Sequence, residues 1–203
     1  AAKSKPALVA FGSGFLGVVH GAGDALQSVT AGAGWSAATA FGNGGVKGAP
    51  ALAVAGTSAH VVYSAGPGAN RDYAHGIHDG SGWSSATAAI GAPPSFGTVS
   101  AGLTGRGADV IFVENGSDEG LYTRTFDGSW SSATPISGAG TVGSTLPATP
   151  ELVAVDGKFD VVAVYVDQSR RLFSATREAA AGLAWAGGIN IGCLVEVTVK
   201  VSA

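Results

Sequence analysis

Apolar residues along this chain fall in short runs, and Gly, Asn, Asp, Ser or Pro closes each run before it reaches helical length. β-Branched and aromatic residues dominate the runs, the signature of strands bounded by turns. The clearest are LGVVH (Leu16 to His20), AHVVY (Ala59 to Tyr63), ADVIF (Ala108 to Phe112) and FDVVA (Phe159 to Ala163). Thr123 to Phe126 runs into Asp127-Gly128, and Ile77-His78 into Asp79-Gly80. Asp-Gly between strand-like runs predicts a hairpin, because glycine takes positive φ without steric penalty. No stretch carries a capped apolar period of 3.6 residues; the one helix-like passage, Ala175 to Ala184, contains Gly182. The chain reads as all-β.

The strands recur as a unit. Each tryptophan sits in related surroundings: AGAGWSAATAFG around Trp35, DGSGWSSATAAIG around Trp83, FDGSWSSATPISG around Trp130 and AGLAWAGGINIG around Trp185, spaced 48, 47 and 55 residues apart. One of the apolar runs named above precedes each tryptophan, and a Pro-led strand opens three of the four units, at Pro6, Pro50 and Pro150. A repeat of about 47 residues with four short strands fits a β-propeller blade, whose repeats run about 40 to 50. A β-sandwich would share the short strands but predicts no tryptophan mark at fixed spacing. The expected fold is one β-propeller domain over residues 1–203, with repeats at 6–49, 50–95, 96–147 and 148–192. A closing strand is expected at 193–203, where Val195, Val197, Val199 and Val201 share one face. Two ways of completing the ring stay open: this tail clasps the first blade, or the units join a larger ring shared between chains.

Composition narrows the function. Net charge is −3 at pH 7, and the 11 Lys and Arg do not form a stripe. Nucleic-acid binding usually needs one, so no nucleic-acid partner is expected. No apolar run approaches the roughly 20 residues of a membrane-spanning helix. Gly makes up 33 of 203 residues and charged residues only 12%, yet hydrophobic residues reach 46%, so burial can drive folding. With Cys193 the one cysteine, no intrachain disulfide contributes. The chain begins Ala1-Ala2-Lys3 and contains no Met, so an initiator or a leader has been removed or the chain is an excised piece, and a secreted or extracellular location is the expectation.

The third unit carries a family likeness. Asp109-Val110-Ile111-Phe112-Val113, Asp118, Leu121-Tyr122 and Asp127-Gly128-Ser129-Trp130-Ser131 resemble the blade repeat of bacterial fucose-binding propeller lectins. Tachylectin-type and tectonin propellers are similar more distantly. The resemblance implies shallow sugar sites between neighbouring blades, no enzymatic activity and no cofactor, with glycans or glycoconjugates as partners. Family blades commonly carry a second tryptophan where this chain has Ala38, Ala86 and Ala133.

On this reading the candidate sugar contacts are Trp35, Trp83, Trp130, Trp185, Asp24, Arg71, Asp118, Tyr122 and Arg171. An indole offers a CH–π platform to a sugar face, and a carboxylate or guanidinium beside it meets hydroxyls. Each also has a plain structural role: the tryptophans fill the gap between blades, and aspartates close turns by accepting backbone amides. His75 and His78, three apart on a strand, point to opposite faces, so no zinc site is expected. The alternatives are a protein-interaction or structural propeller, and a sialidase-like glycosidase, which would need paired carboxylates. A homo-oligomer is a further expectation.

Overall fold

A computed structural model describes residues 2–42, 45–46, 48–65, 72–84, 87–90, 101–106, 109–115, 121–136, 151–155, 159–166, 171–178 and 185–193. Arg71, Asp118 and the valine-rich tail at 194–203 lie outside the described residues.

The strands form four antiparallel meanders, each of four strands in chain order. The first blade is β1 (Ala7–Phe11), β2 (Gly14–His20), β3 (Leu26–Ala31) and β4 (Thr39–Phe41). The second is β5 (Ala51–Ala55), β6 (Ser58–Ala65), β7 (Asp72–His78) and β8 (Thr87–Ile90). The third is β9 (Ala101–Arg106), β10 (Asp109–Asn115), β11 (Leu121–Phe126) and β12 (Thr134–Pro135). The fourth is β13 (Glu151–Ala154), β14 (Phe159–Val166), β15 (Arg171–Glu178) and β16 (Trp185–Cys193). The first strand of each blade lies along that of the next: β1 beside β5, β5 beside β9, β9 beside β13. At one such contact the backbones nearly touch, and a methyl added to Gly105 of β9 would collide with the Val54 carbonyl of β5.

The apolar core lies between blades. Leu16, Val18, Leu26 and Val46 of the first blade meet Leu52, Ala59, Val61 and Tyr63 of the second. On the other side of the second blade, Ala53, Ala55, Val62 and Tyr73 meet Val110. Leu121 and Ile136 of the third blade meet Tyr165 and Ala175 of the fourth. An inner blade therefore has both faces covered. In β6 every residue from Ala59 to Ser64 is buried, so the period-two alternation of a one-sided strand disappears. In β1 the alternation survives, because only the face toward the second blade is covered.

The shared Trp-Ser mark does the same work in each of the first three blades. Ser36, Ser84 and Ser131 donate their backbone N–H to the carbonyls of Thr30, Ile77 and Thr125, at 2.8, 2.7 and 2.9 Å. Their Oγ atoms accept the amides of the same three residues at 2.9, 3.1 and 3.0 Å. These paired bonds lock the hairpin that carries the tryptophan. The two Asp-Gly turns form as expected, with Gly80 at φ +100° and Gly128 at φ +111°.

Candidate functional site: the cleft between the first two blades

Each tryptophan pairs across its hairpin with the same repeat position: Trp35 with Ala31, Trp83 with His78, Trp130 with Phe126 and Trp185 with Arg177. That places every indole on the face turned to the preceding blade. Trp83 stacks on Phe41 of the first blade, ring centroids 4.1 Å apart and planes within 3°. Trp130 donates its Nε1–H to His75 Nδ1 of the second blade at 3.2 Å. Trp185 packs against the cluster that Leu121 and Ile136 of the third blade form with Tyr165 and Ala175 of the fourth. Trp35, in the first of the described blades, is 64% exposed. The recurring indole is thus a wedge between blades, the plain structural reading of the repeat.

Beside the Trp83 wedge the first two blades part to form a cleft of about 580 Å³. Its walls are Ser28, Thr30, Thr39 and Phe41 from the first blade and His78, Ser81 and Trp83 from the second. Among the described residues the lining holds no carboxylate, lysine or arginine. His78 is wedged between Phe11 and Trp83, at ring-centroid distances of 5.4 and 5.1 Å. Its Nδ1 accepts the Gly80 amide at 3.0 Å, which leaves the proton on Nε2. Burial pushes its pKa down against the opposing pull of Asp79, so the ring is neutral near pH 7. Asp79 is used up by its own turn: Oδ1 accepts Ser81 Oγ–H at 2.7 Å and the amides of Ser81 and Gly82 at 2.9 and 3.1 Å. The Ser81 hydroxyl and those amides hold its carboxyl at about 2. The Trp83 Nε1–H is buried and meets no acceptor among the described residues.

The corresponding place at the next junction is filled. Ser28, His75, Thr123 and Ser174 occupy one repeat position, opposite Thr39, Thr87, Thr134 and Ile189. At the second junction His75 fills that position with an imidazole, which engages Trp130 and reaches His60 Nδ1 at 3.0 Å. At the third, Thr123 stands there, and Arg177, buried, takes the place of His78. At the first two junctions that repeat position differs, a serine at the open one and an imidazole at the next.

The candidate residues picked from sequence are dispersed. Of those described, Trp83 lines the cleft. Asp24 lies between β2 and β3, within 2.7 Å of Lys3 Nζ and 3.3 Å of His20 Nε2. Tyr122 is half-buried on β11, opposite Pro135. Arg171 is exposed at the start of β15, its guanidinium 5.5 Å from the Phe173 ring centroid. Ser28, Thr30, Thr39, Phe41 and His78 were not singled out as sugar contacts, since nothing local marks them. His75 and His78 do face different neighbours, as their spacing implies. Among the described residues no group of three or more His, Cys, Asp or Glu is placed to hold a metal ion.

No family model matches the chain, and no curated protein matches it. Solved structures do. A fungal lectin from Aleuria aurantia, described as a six-bladed β-propeller with a novel mode of fucose recognition, superposes with a TM-score of 0.67 at 15% identity, over 94% of this chain and 62% of that one. AofleA from Arthrobotrys oligospora superposes with a TM-score of 0.68 at 15% identity, over 93% and 57%. An endo-arabinanase from Bacillus licheniformis gives 0.56 at 11% identity, over 96% and 81%. The chain spans about three fifths of the length of the two lectins. These likenesses establish the fold: all-β, in successive four-stranded blades of the propeller kind.

Proposed function

We propose that the protein is a non-enzymatic lectin that holds a neutral, fucose-like sugar in the cleft between its first two blades. The observation that carries this reading is the cleft's chemistry: hydroxyls of Ser28, Thr30 and Thr39, a neutral imidazole donor and an aromatic wall, with no fixed charge among the described residues. A sugar presents hydroxyls around an apolar ring face, so it needs mixed donors and acceptors beside aromatic carbon. Propeller lectins of like fold are solved with α-methyl-L-fucoside and with Fucα1-6GlcNAc, which supports the ligand class.

A glycosidase of the usual kind needs two carboxyl groups flanking the bond to be cut. The described residues of the lining offer none, and the nearby Asp79 is committed to its turn. Titration of α-methyl-L-fucoside by calorimetry, with and without EDTA, tests the reading. Saturable heat unaffected by the chelator is expected. No heat, or heat abolished by EDTA, overturns it.

A further inference from the structure

His78 joins two parts of the cleft. The residue lines it, and its Nδ1 accepts the Gly80 amide of the turn that follows, at 3.0 Å. That turn supplies Ser81 and Gly82 to the lining and leads into Trp83. Its other bonds belong to Asp79. The Asp79 N–H donates to the Gly82 carbonyl at 3.3 Å, and Oδ1 accepts the amides of Ser81 and Gly82. The turn as such does not require an imidazole. Phe126 stands at the repeat position of His78 before the other Asp-Gly turn, and Gly128 still takes φ +111°. Ala31 holds this position in the first blade and Arg177 in the fourth. Of the four described blades, only the one that walls the open cleft places a histidine there.

We infer that His78 is a proton-operated latch: a proton taken up at Nδ1 drives off the Gly80 amide, spreads the turn over 79–82 and expels the sugar. The inference rests on the carbohydrate reading above and adds its regulation. In the neutral ring Nδ1 is an acceptor; once protonated it is a donor, set against the Gly80 N–H at hydrogen-bond distance. The ring cannot gain its charge and keep that bond. Asp79 is the charged group beside it, and the Ser81 hydroxyl and the turn amides hold its carboxyl at about 2, so it stays ionised. The other strands packed near His78, namely β1, β3, β4, β5 and β8, carry no titratable residue. On β6 and β7, His60 and His75 turn to the opposite face, against Phe126. Tyr63 pairs with Ala74, four residues along from His78, and Asp72 begins β7, six residues away. Burial favours the neutral ring more than Asp79 favours the charged one, so the change falls on the acid side of 6.5. Sugar is therefore held near neutral pH and released in acid.

Calorimetric titration with α-methyl-L-fucoside from about pH 8 to about pH 4.5 tests the latch. Affinity is expected to be level above about 6.5 and then to fall, approaching about tenfold per pH unit as one proton replaces one sugar. His78→Asn puts an amide oxygen near the place of Nδ1 and cannot take up the proton. It should bind more weakly, with no pH slope. A level wild-type profile overturns the latch, and so does a slope that persists in the variant. Heteronuclear NMR of the sugar-free protein gives an independent reading. The His78 ring nitrogens and the Gly80 amide should shift together, with one midpoint below 6.5. A Gly80 amide that stays fixed while the ring titrates overturns the latch. Absence of binding in every form at every pH overturns the carbohydrate reading, while the Gly80 shift still decides whether the proton opens the turn.

Discussion

Acid should loosen the junction between the second and third blades. There the Trp130 N–H donates to His75 Nδ1, so the proton of His75 sits on Nε2 and is shared with His60 Nδ1. Protonating His75 would set an N–H against the indole N–H and place a charge beside Phe126, 4.6 Å away between ring centroids. Burial, reinforced by the neighbouring His60, accordingly holds His75 at about 4, against 6.5 for an ordinary histidine. Between those values the unfolded chain binds more protons than the folded one, so stability rises with pH. The contribution is complete above about 6.5 and is lost as the pH falls through about 4. With these two pKa values, linkage gives a loss of about 2 kcal/mol between pH 7 and about pH 4.5. His60, lowered by burial as well, adds to the loss in the same direction. Urea unfolding followed by tryptophan fluorescence at the two pH values measures it. In His75→Gln, whose amide oxygen can still accept the indole N–H, the drop should shrink by about 2 kcal/mol. An equal drop in the variant would refute the buried neutral imidazole.

Trp83→Ala removes a stacked, wedged indole and should cost about 3–5 kcal/mol in a thermal or urea melt. Gly105→Ala forces β9 away from the β5 backbone and should destabilise by about 1–3 kcal/mol, read by the same melts. His78→Ala removes the imidazole donor from the cleft and should weaken sugar binding by about tenfold in calorimetry, the worth of about one hydrogen bond.

Much of the blade was legible because its determinants are local. The Trp-Ser pair marks a hairpin whose two bonds close within a few residues, at Ser36, Ser84 and Ser131. Runs such as AHVVY read as buried strands because both faces of an inner blade are covered. The cleft was not legible. Its walls come from residues such as Ser28 and Trp83, 55 positions apart, brought together by blade packing rather than by any run of sequence. The contrast between Ser28 and His75 at one repeat position acquires meaning only when the facing indole is in view. Of the conspicuous carboxylates, Asp24 is engaged in ion pairing and Asp79 in turn closure. What marks the cleft is ordinary hydroxyl chemistry, common along the whole chain.

The central claim is that a neutral sugar is held at the open junction and not at the plugged one. The most direct measurement is a crystal structure of the protein soaked with α-methyl-L-fucoside. The account predicts sugar density between Ser28, Thr30, Thr39 and His78, and none beside His75 and Trp130. Density at the second junction with an empty first cleft would contradict it.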